Sequence, residues 1–265
     1  MAPIRVPSAD SFGLRQDLPA FVSATIVTAL AGVTVIAWIY TWLQVRAMTG
    51  IEDMAMPTEF GPWTISDVAL NIAIWWIMMV GMMLPSAMPM VLVFASANRR
   101  RRARGGAFVP TAVFAAGYLI AWAVFGLAAT FAEWGLEQAA LIAPATQRVG
   151  PTLGAGIVIA AGLYQLTPLK NACLAHCRSP LDFVLNHWRE GTAGAVRMGL
   201  EHGLYCLGCC WVLMALLFAV GVMNLLWMAV LTAFVLIEKL VPAGQWIPRV
   251  SGFLLLGFGV FLLTP

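Results

Sequence analysis

Long apolar segments alternate with short polar ones along the whole chain. Apolar residues dominate seven segments, at residues 21–45, 67–97, 108–132, 152–169, 198–221, 225–241 and 250–263. A helix needs about 20 apolar residues to cross a hydrocarbon core of about 30 Å, and the last segment falls furthest short of that length. The pattern predicts an all-α fold: a polytopic membrane helical bundle of about seven transmembrane helices.

The basic residues fall mostly in alternate connections between these segments. If the N-terminus is cytoplasmic, 13 of the 15 lysines and arginines lie on the cytoplasmic side, including the run from Arg99 to Arg104. Only Arg46 and Arg148 then lie outside. Because cytoplasmic loops are enriched in lysine and arginine, we expect a cytoplasmic N-terminus, an external C-terminus and a multi-pass protein of the cytoplasmic (inner) membrane.

The composition supports a chain embedded in the lipid bilayer. Hydrophobic residues make up 61% of it and charged residues only 10%, far from the balance of a soluble domain. We therefore expect residues 1–265 to form a single transmembrane domain. The net charge of +3 follows from the loop topology, so we expect no nucleic-acid partner. With no glycine-rich phosphate loop and no serine–histidine–acid set, an enzyme is the less favoured class, although the question stays open.

All cysteines and histidines lie between residues 173 and 210. As a helix, Cys173-Leu-Ala-His176-Cys177 would turn its three donors toward one third of the circumference. Further along, one helical stripe about 80° wide collects four more donors: Met198, His202, Cys206 and Cys209. Glu201 lies beside this stripe, and we expect its carboxylate to orient an imidazole.

Thiolate, thioether and imidazole donors together suit Cu(I) or Zn(II). We therefore predict a bound metal ion, copper with zinc as the alternative, and these candidate ligands: Cys173, His176, Cys177, His202, Cys206, Cys209 and Cys210. On the predicted topology the first group lies at the cytoplasmic face, where thiols stay reduced, and a disulfide is disfavoured. The alternative is that the cysteines simply pack as small apolar side chains.

The second apolar segment is rich in methionine. Four of its residues form two pairs spaced four apart, so that each pair shares a helical face: Met78, Met79, Met82 and Met83. Thioethers bind Cu(I), which makes these residues candidate ligands, while adaptable apolar packing explains them equally well. Pro85 and Pro89 each remove a backbone donor and predict a kink or a break in this helix.

One charged pair, Glu238-Lys239, ends the sixth apolar segment. An ionisable residue inside a membrane is a functional candidate by default. A position at the membrane boundary, with the charged ends reaching toward water, accounts for the pair equally well.

Three segments together resemble a bacterial family of predicted metal-binding integral membrane proteins, whose members are sometimes labelled copper chaperones. They are Met78-Met79-Val-Gly-Met82-Met83-Leu-Pro85, Cys173-Leu-Ala-His176-Cys177 and Gly199-Leu-Glu201-His202-Gly-Leu-Tyr-Cys206-Leu-Gly-Cys209-Cys210-Trp211. The resemblance covers roughly residues 67–242 and leaves residues 1–66, with the first span and an outer loop, outside it. It implies copper handling at the cytoplasmic membrane.

The sequence therefore predicts a membrane protein that binds a soft metal ion, most simply copper. It would transport the ion or deliver it to a membrane-embedded partner, such as a metalloenzyme complex, and could act as a homo-oligomer. A different class is a membrane thiol oxidoreductase that uses the pair Cys206-Leu-Gly-Cys209. A third is an accessory subunit of a larger membrane complex, in which the thiols only pack.

Overall fold

The computed structural model describes residues 20–49, 62–143, 147–241 and 246–264. Within these ranges the chain forms nine helices and one two-stranded ribbon, in the order α1 (Ala20–Thr49), α2 (Ile65–Ala103), α3 (Thr111–Gln138), β1 (Ile142–Ala143), β2 (Arg148–Val149), α4 (Pro151–Gln165), α5 (Pro168–Arg178), α6 (Pro180–His187), α7 (Gly191–Val220), α8 (Leu225–Leu240) and α9 (Trp246–Phe261). The all-α prediction is confirmed. Predictions about the first 19 residues and most of the first outer loop fall outside the described residues.

Four helices, α1, α2, α3 and α7, are long and apolar enough to cross a membrane. A fifth span is formed if α4 and α5 are counted together, although a 66° bend separates them. The helices α8 and α9 have 16 residues each, which at 1.5 Å per residue gives about 24 Å. The membrane character of the chain is therefore confirmed, whereas the count of seven spans is not.

The long helix α2 continues through both of its prolines without a break, so of the two predicted outcomes, a kink or a break, the break does not occur. Pro85 has no N–H to donate to the Gly81 carbonyl four residues earlier. The Trp38 indole of α1 donates to that carbonyl instead, at 3.1 Å. A side chain of a neighbouring helix thus satisfies the freed backbone group, which allows the helix to continue in an apolar environment.

Helices α3 and α7 pack backbone against backbone. A Cβ atom on Gly199 would lie 2.0 Å from the Phe114 carbonyl oxygen, and one on Gly117 would lie 2.2 Å from the Val196 carbonyl oxygen. Only glycine permits such an approach, since the obstructing atoms belong to the main chain. This contact fixes α7, which carries three of the cysteines, against α3 in the centre of the bundle.

The bend after α4 brings the first cysteine segment back against the bundle. Pro168 stands at the start of α5, and the Thr167 side chain caps that helix by accepting a hydrogen bond from the Lys170 N–H at 3.3 Å. A proline at this position and a threonine cap favour a new helix start. As a result α5 lies along α7, and the segment predicted to be helical around Cys173 and Cys177 is helical.

Candidate metal centre

Four thiols, from Cys177 on α5 and from Cys206, Cys209 and Cys210 on α7, meet in the bundle core; we refer to them as the thiol cluster. The sulfur atoms of Cys177 and Cys209 are 4.0 Å apart. Cys177 also interacts with Cys206. The three α7 cysteines are buried, and all five cysteines of the chain are free thiols. Residues predicted from two separate segments are therefore brought together.

The backbone of α7 sets the direction of two of these thiols. The thiols of Cys209 and Cys210 both donate to the Cys206 carbonyl, each at 3.0 Å. Cys209 faces α5, whereas Cys210 faces α2, where its sulfur lies 3.9 Å from the sulfur of Met83. Cys210, which the helical wheel places away from the stripe, is therefore part of the cluster. It connects the thiols to the methionines.

A lysine ammonium group reaches the cluster from α8. Lys239 Nζ lies 2.8 Å from Cys206 Sγ and 2.9 Å from Ser86 Oγ, and the residue is only 7% exposed. The Tyr118 hydroxyl lies 3.1 Å from the same sulfur. A buried ammonium group needs an anion in contact. The group placed to supply that negative charge is the thiolate of Cys206.

The residue before Lys239 forms a second buried ion pair. The Glu238 carboxylate accepts from Lys170 Nζ at 2.8 Å and from Gln165 Nε2 at 3.0 Å, and the Lys170 and Glu238 side chains are almost fully buried. The alternative in which the charged ends of Glu238 and Lys239 reach toward water is therefore wrong. Lys170 and Lys239, which belong to the set of 13 residues expected on the cytoplasmic side, are buried inside the bundle.

The histidines take different positions around the cluster. His202 is buried between the rings of Tyr118 and Phe183, interacts with Cys206, and has no hydrogen-bond partner for Nδ1 among the described residues. The His176 ring instead stacks on Tyr205, with centroids 4.1 Å apart, and its Nδ1 lies 2.9 Å from the Ala172 carbonyl oxygen. His202 is thus the histidine with a buried nitrogen available to a ligand.

Two other predicted residues lie at the edge of this region. The sulfur of Cys173 would be 2.7 Å from a Cβ on Gly208, so Cys173 packs against α7 beside the cluster. Glu201 accepts hydrogen bonds from Arg197 at 3.0 Å and from Arg189 at 3.3 Å. No hydrogen bond joins this carboxylate to an imidazole in the described part of the chain, so the structure does not bring Glu201 to the position expected for orienting a histidine.

The candidate methionines of α2 are all buried in the same apolar core as the α7 cysteines. They therefore face the interior of the bundle. The Met83 sulfur contacts Cys210, and the Met83 carbonyl accepts from the Tyr118 hydroxyl at 3.1 Å. From this point the line of thioethers continues along α2 toward Trp75, through Met82, Met79 and Met78.

The spacing within each of the two sulfur pairs is that of two sulfur ligands on one ion. Metal–sulfur bonds of about 2.3 Å place two sulfurs about 3.8 Å apart at a tetrahedral angle and about 4.6 Å apart on opposite sides of the ion. Both the 4.0 Å pair and the 3.9 Å pair fall in this range. Among the described residues, no group of three or more histidine, cysteine, aspartate or glutamate side chains is arranged to hold an ion.

Sequence reasoning missed two residues that contact Cys206 or its lysine partner, Tyr118 and Ser86. They stand alone in apolar helices, and no spacing or motif marks them. Lys239 was a candidate as an ionisable residue at the end of an apolar helix, but its partner Cys206 lies on another helix. Only the packing of α2, α3, α7 and α8 reveals these contacts.

Comparison with known proteins identifies a family for this chain. A family model described as copper chaperone, PpoB2, matches residues 72–262. The match includes both cysteine segments and the methionines, and it extends through α9, beyond the 67–242 region of the sequence resemblance. Searches of curated proteins and of solved structures found no match. Since the matched region is well over half of the chain, this protein belongs to the copper chaperone family.

Proposed function

We propose that the protein binds a copper ion, as Cu(I), at the thiol cluster and passes it across the membrane or to a membrane-embedded partner enzyme. The observation that carries the proposal is that two sulfur pairs, Cys177–Cys209 and Cys210–Met83, lie on either side of Cys206, whose carbonyl accepts from the Cys209 and Cys210 thiols. Thiolate and thioether sulfurs are the donors that select Cu(I).

The thioether favours copper over zinc. Thiolates bind both ions, but a methionine sulfur beside them adds a donor that Cu(I) accepts well and Zn(II) accepts poorly. Met83 lies against Cys210, and three further buried methionines follow it along α2. Zinc is the alternative ion, and metal analysis of the purified protein distinguishes the two.

Lys239 supplies the charge that such a site needs. A Cu(I) ion held by two thiolates keeps one net negative charge, which is costly to bury without a partner. The Lys239 ammonium group, 2.8 Å from Cys206, provides the compensating charge inside the bundle. Four thiols, one lysine and one thioether thus form a site that can be neutral with the ion bound.

We further propose the setting in which this site works. Eleven basic residues remain on the proposed cytoplasmic side after Lys170 and Lys239 are removed, which supports a cytoplasmic N-terminus in the inner membrane. We propose one transmembrane domain for the whole chain, in which α4, α8 and α9 complete seven membrane helices. A partner metalloenzyme or a second copy of the chain would receive the ion.

Metal retention tests the proposal directly. The full chain is purified in detergent under reducing conditions and loaded with Cu(I), and we expect about one tightly bound ion per chain. The double variant Cys177→Ser, Cys209→Ser should lose this ion. Cys173→Ser, a matched control at the edge of the cluster, should retain it. Full retention in the double variant would refute the site.

One observation also favours a thiol oxidoreductase. Lys239 beside Cys206 stabilises a thiolate, which is the nucleophilic form in thiol–disulfide exchange. On that proposal the Cys206 thiolate would attack a substrate disulfide and the Cys209 thiol would then displace the substrate, which leaves a Cys206–Cys209 disulfide and a reduced substrate dithiol. Thiol–disulfide exchange activity in a protein that holds no copper, abolished by Cys206→Ser, would support this function and contradict copper binding.

A further inference from the structure

Two histidines outside the thiol cluster lie side by side on α5 and α6. His176 is near the end of α5, directly before Cys177 of the cluster, and His187 is the last residue of α6. The centroids of the two rings are 6.3 Å apart, at an interplanar angle of 75°. Both residues are partly exposed, so the pair is accessible from outside the bundle.

Backbone carbonyls determine which nitrogen of each ring is free. His176 Nδ1 lies 2.9 Å from the Ala172 carbonyl oxygen, and His187 Nδ1 lies 3.2 Å from that of Phe183. A carbonyl oxygen only accepts, so Nδ1 carries the proton and Nε2 of the neutral ring keeps its lone pair. Neither Nε2 has a hydrogen-bond partner among the residues that the structure describes. Metal-binding histidines show this arrangement, in which one ring N–H donates to a carbonyl and the other nitrogen holds the ion.

Aromatic neighbours hold the two imidazoles edge to edge. The His176 ring is parallel to Tyr205 with centroids 4.1 Å apart, and the His187 ring stacks on Phe183 at 4.7 Å. The His187 centroid is 6.3 Å from His176 and 6.4 Å from Tyr205. His187 therefore lies beside the edges of the stacked pair and not over the outer face of His176. The lone pair of an imidazole lies in the ring plane, at the edge, which is where a metal ion binds.

The ring spacing matches that of two imidazoles on opposite sides of one ion. Metal–nitrogen bonds of about 2.0–2.1 Å, with about 1.2 Å from nitrogen to ring centre, place the centroids about 6.4 Å apart in a linear arrangement and about 5.2 Å apart at a tetrahedral angle. The observed 6.3 Å is close to the linear value. Zinc in proteins is almost always four-coordinate, and no group of three or more potential ligands forms in the described part of the chain. The pair therefore fits a two-coordinate Cu(I) ion, which imidazole suits.

We infer that His176 and His187 form a second, weaker Cu(I) site between the outside of the bundle and the thiol cluster. The inference rests on the proposed copper function and adds a route to it. Neutral imidazoles hold Cu(I) less tightly than soft, charged thiolates do, so an ion bound by the pair passes on to the cluster. Cys177 follows His176 directly in α5 and is the first thiol on this route. The ion stays Cu(I) throughout, and a thiol that replaces an imidazole releases its proton.

Copper coordination in a chain without the main site tests the inference. The full chain with Cys177→Ser and Cys209→Ser is titrated with Cu(I) against a soluble chelator, in detergent under reducing conditions, and its X-ray absorption spectrum is measured. We expect one weakly held ion with two nitrogen neighbours. Adding His187→Gln should lower its affinity at least about tenfold, since losing a group that merely orients a metal ligand already costs about 10–100-fold. His176→Phe, which keeps a ring against Tyr205 but has no nitrogen, should have the same effect.

Control variants separate this site from the thiol cluster. Asn186→Ala changes the exposed residue beside His187, whose side chain binds Asp182 of the same helix, and should alter neither affinity nor spectrum. With all cysteines present, the histidine variants should keep the tightly bound ion. Unchanged affinity in both histidine variants, or no nitrogen-coordinated ion in the double cysteine variant, overturns the inference. Tight, sulfur-coordinated copper that persists in the double cysteine variant overturns the proposed function instead, so the two failures are distinct.

Discussion

Lys239 brings a positive charge into a region built otherwise from sulfur and apolar side chains. Its ammonium group contacts Cys206 and Ser86, and each contact comes from a different helix. The lysine therefore ties α8 to α7 and α2 through one atom. Lys239 therefore has a structural role in the protein, and on the proposed function it is also the charge partner of the bound ion.

Replacing Lys239 with methionine should destabilise the protein strongly. The Cys206 thiolate would lose its buried counter-ion, and breaking such a pair costs about 3–5 kcal/mol of unfolding free energy. Thermal or denaturant unfolding in detergent measures the effect.

The double variant Lys239→Met, Cys206→Ala should recover most of this stability, because removing both charges together leaves no buried charge unpaired. A double variant that is less stable than either single variant would contradict the ion pair.

The sequence identified the cysteines of the cluster but not their surroundings. Cysteine and histidine clustering is visible in the chain order, and helical periodicity places Cys206 and Cys209 on one face. Ser86 is 153 residues from Lys239, and no local pattern encodes so distant a contact. The Glu201 carboxylate was expected to orient an imidazole because it lies beside the donor stripe on the helix, yet it binds two arginines.

At the scale of helices, the α3–α7 contact positions the cluster. We expect Gly199→Ala to cost about 3 kcal/mol or more of unfolding free energy, because its Cβ would lie 2.0 Å from a backbone oxygen. Gly156→Ala is the matched control, since no atom lies within 4 Å of a Cβ there, and alanine favours the helix. Equal stability of the two variants would contradict the close packing of α3 and α7.

The methionines of α2 can be tested together as an element. Replacing Met78, Met79, Met82 and Met83 with leucine nearly preserves volume, and such swaps usually cost less than about 1.5 kcal/mol each. We expect a folded protein with reduced affinity for Cu(I), measured by competition with a soluble chelator. Unchanged affinity would assign these residues to packing alone.

The length of the apolar segments predicted a helix for each of the seven, and the structure contains all of them. What segment length could not predict is how α4 ends. The 66° bend before α5 depends on Thr167 and Pro168 and on the packing of α5 against α7. The continuity of α2 through Pro85 likewise depends on Trp38 of another helix. The sequence of α2 alone therefore does not show that the helix continues past its prolines.

The orientation of the whole molecule decides which compartment meets each end of the bundle. We expect reporter proteins fused after Arg104 and after Arg189 to be cytoplasmic, and one fused after Glu59 to be external, because arginines concentrate on one side. The inverse pattern would place α5 at an oxidising face and would favour disulfide chemistry for its cysteines.

The whole account depends on sulfur atoms of α5 and α7 holding the ion. X-ray absorption spectroscopy of the Cu(I)-loaded full chain measures this directly. We predict at least two sulfur neighbours at about 2.3 Å, lost in Cys177→Ser, Cys209→Ser and retained in Cys173→Ser. A shell made only of nitrogen and oxygen, or sulfur neighbours that persist in the double variant, would contradict the account.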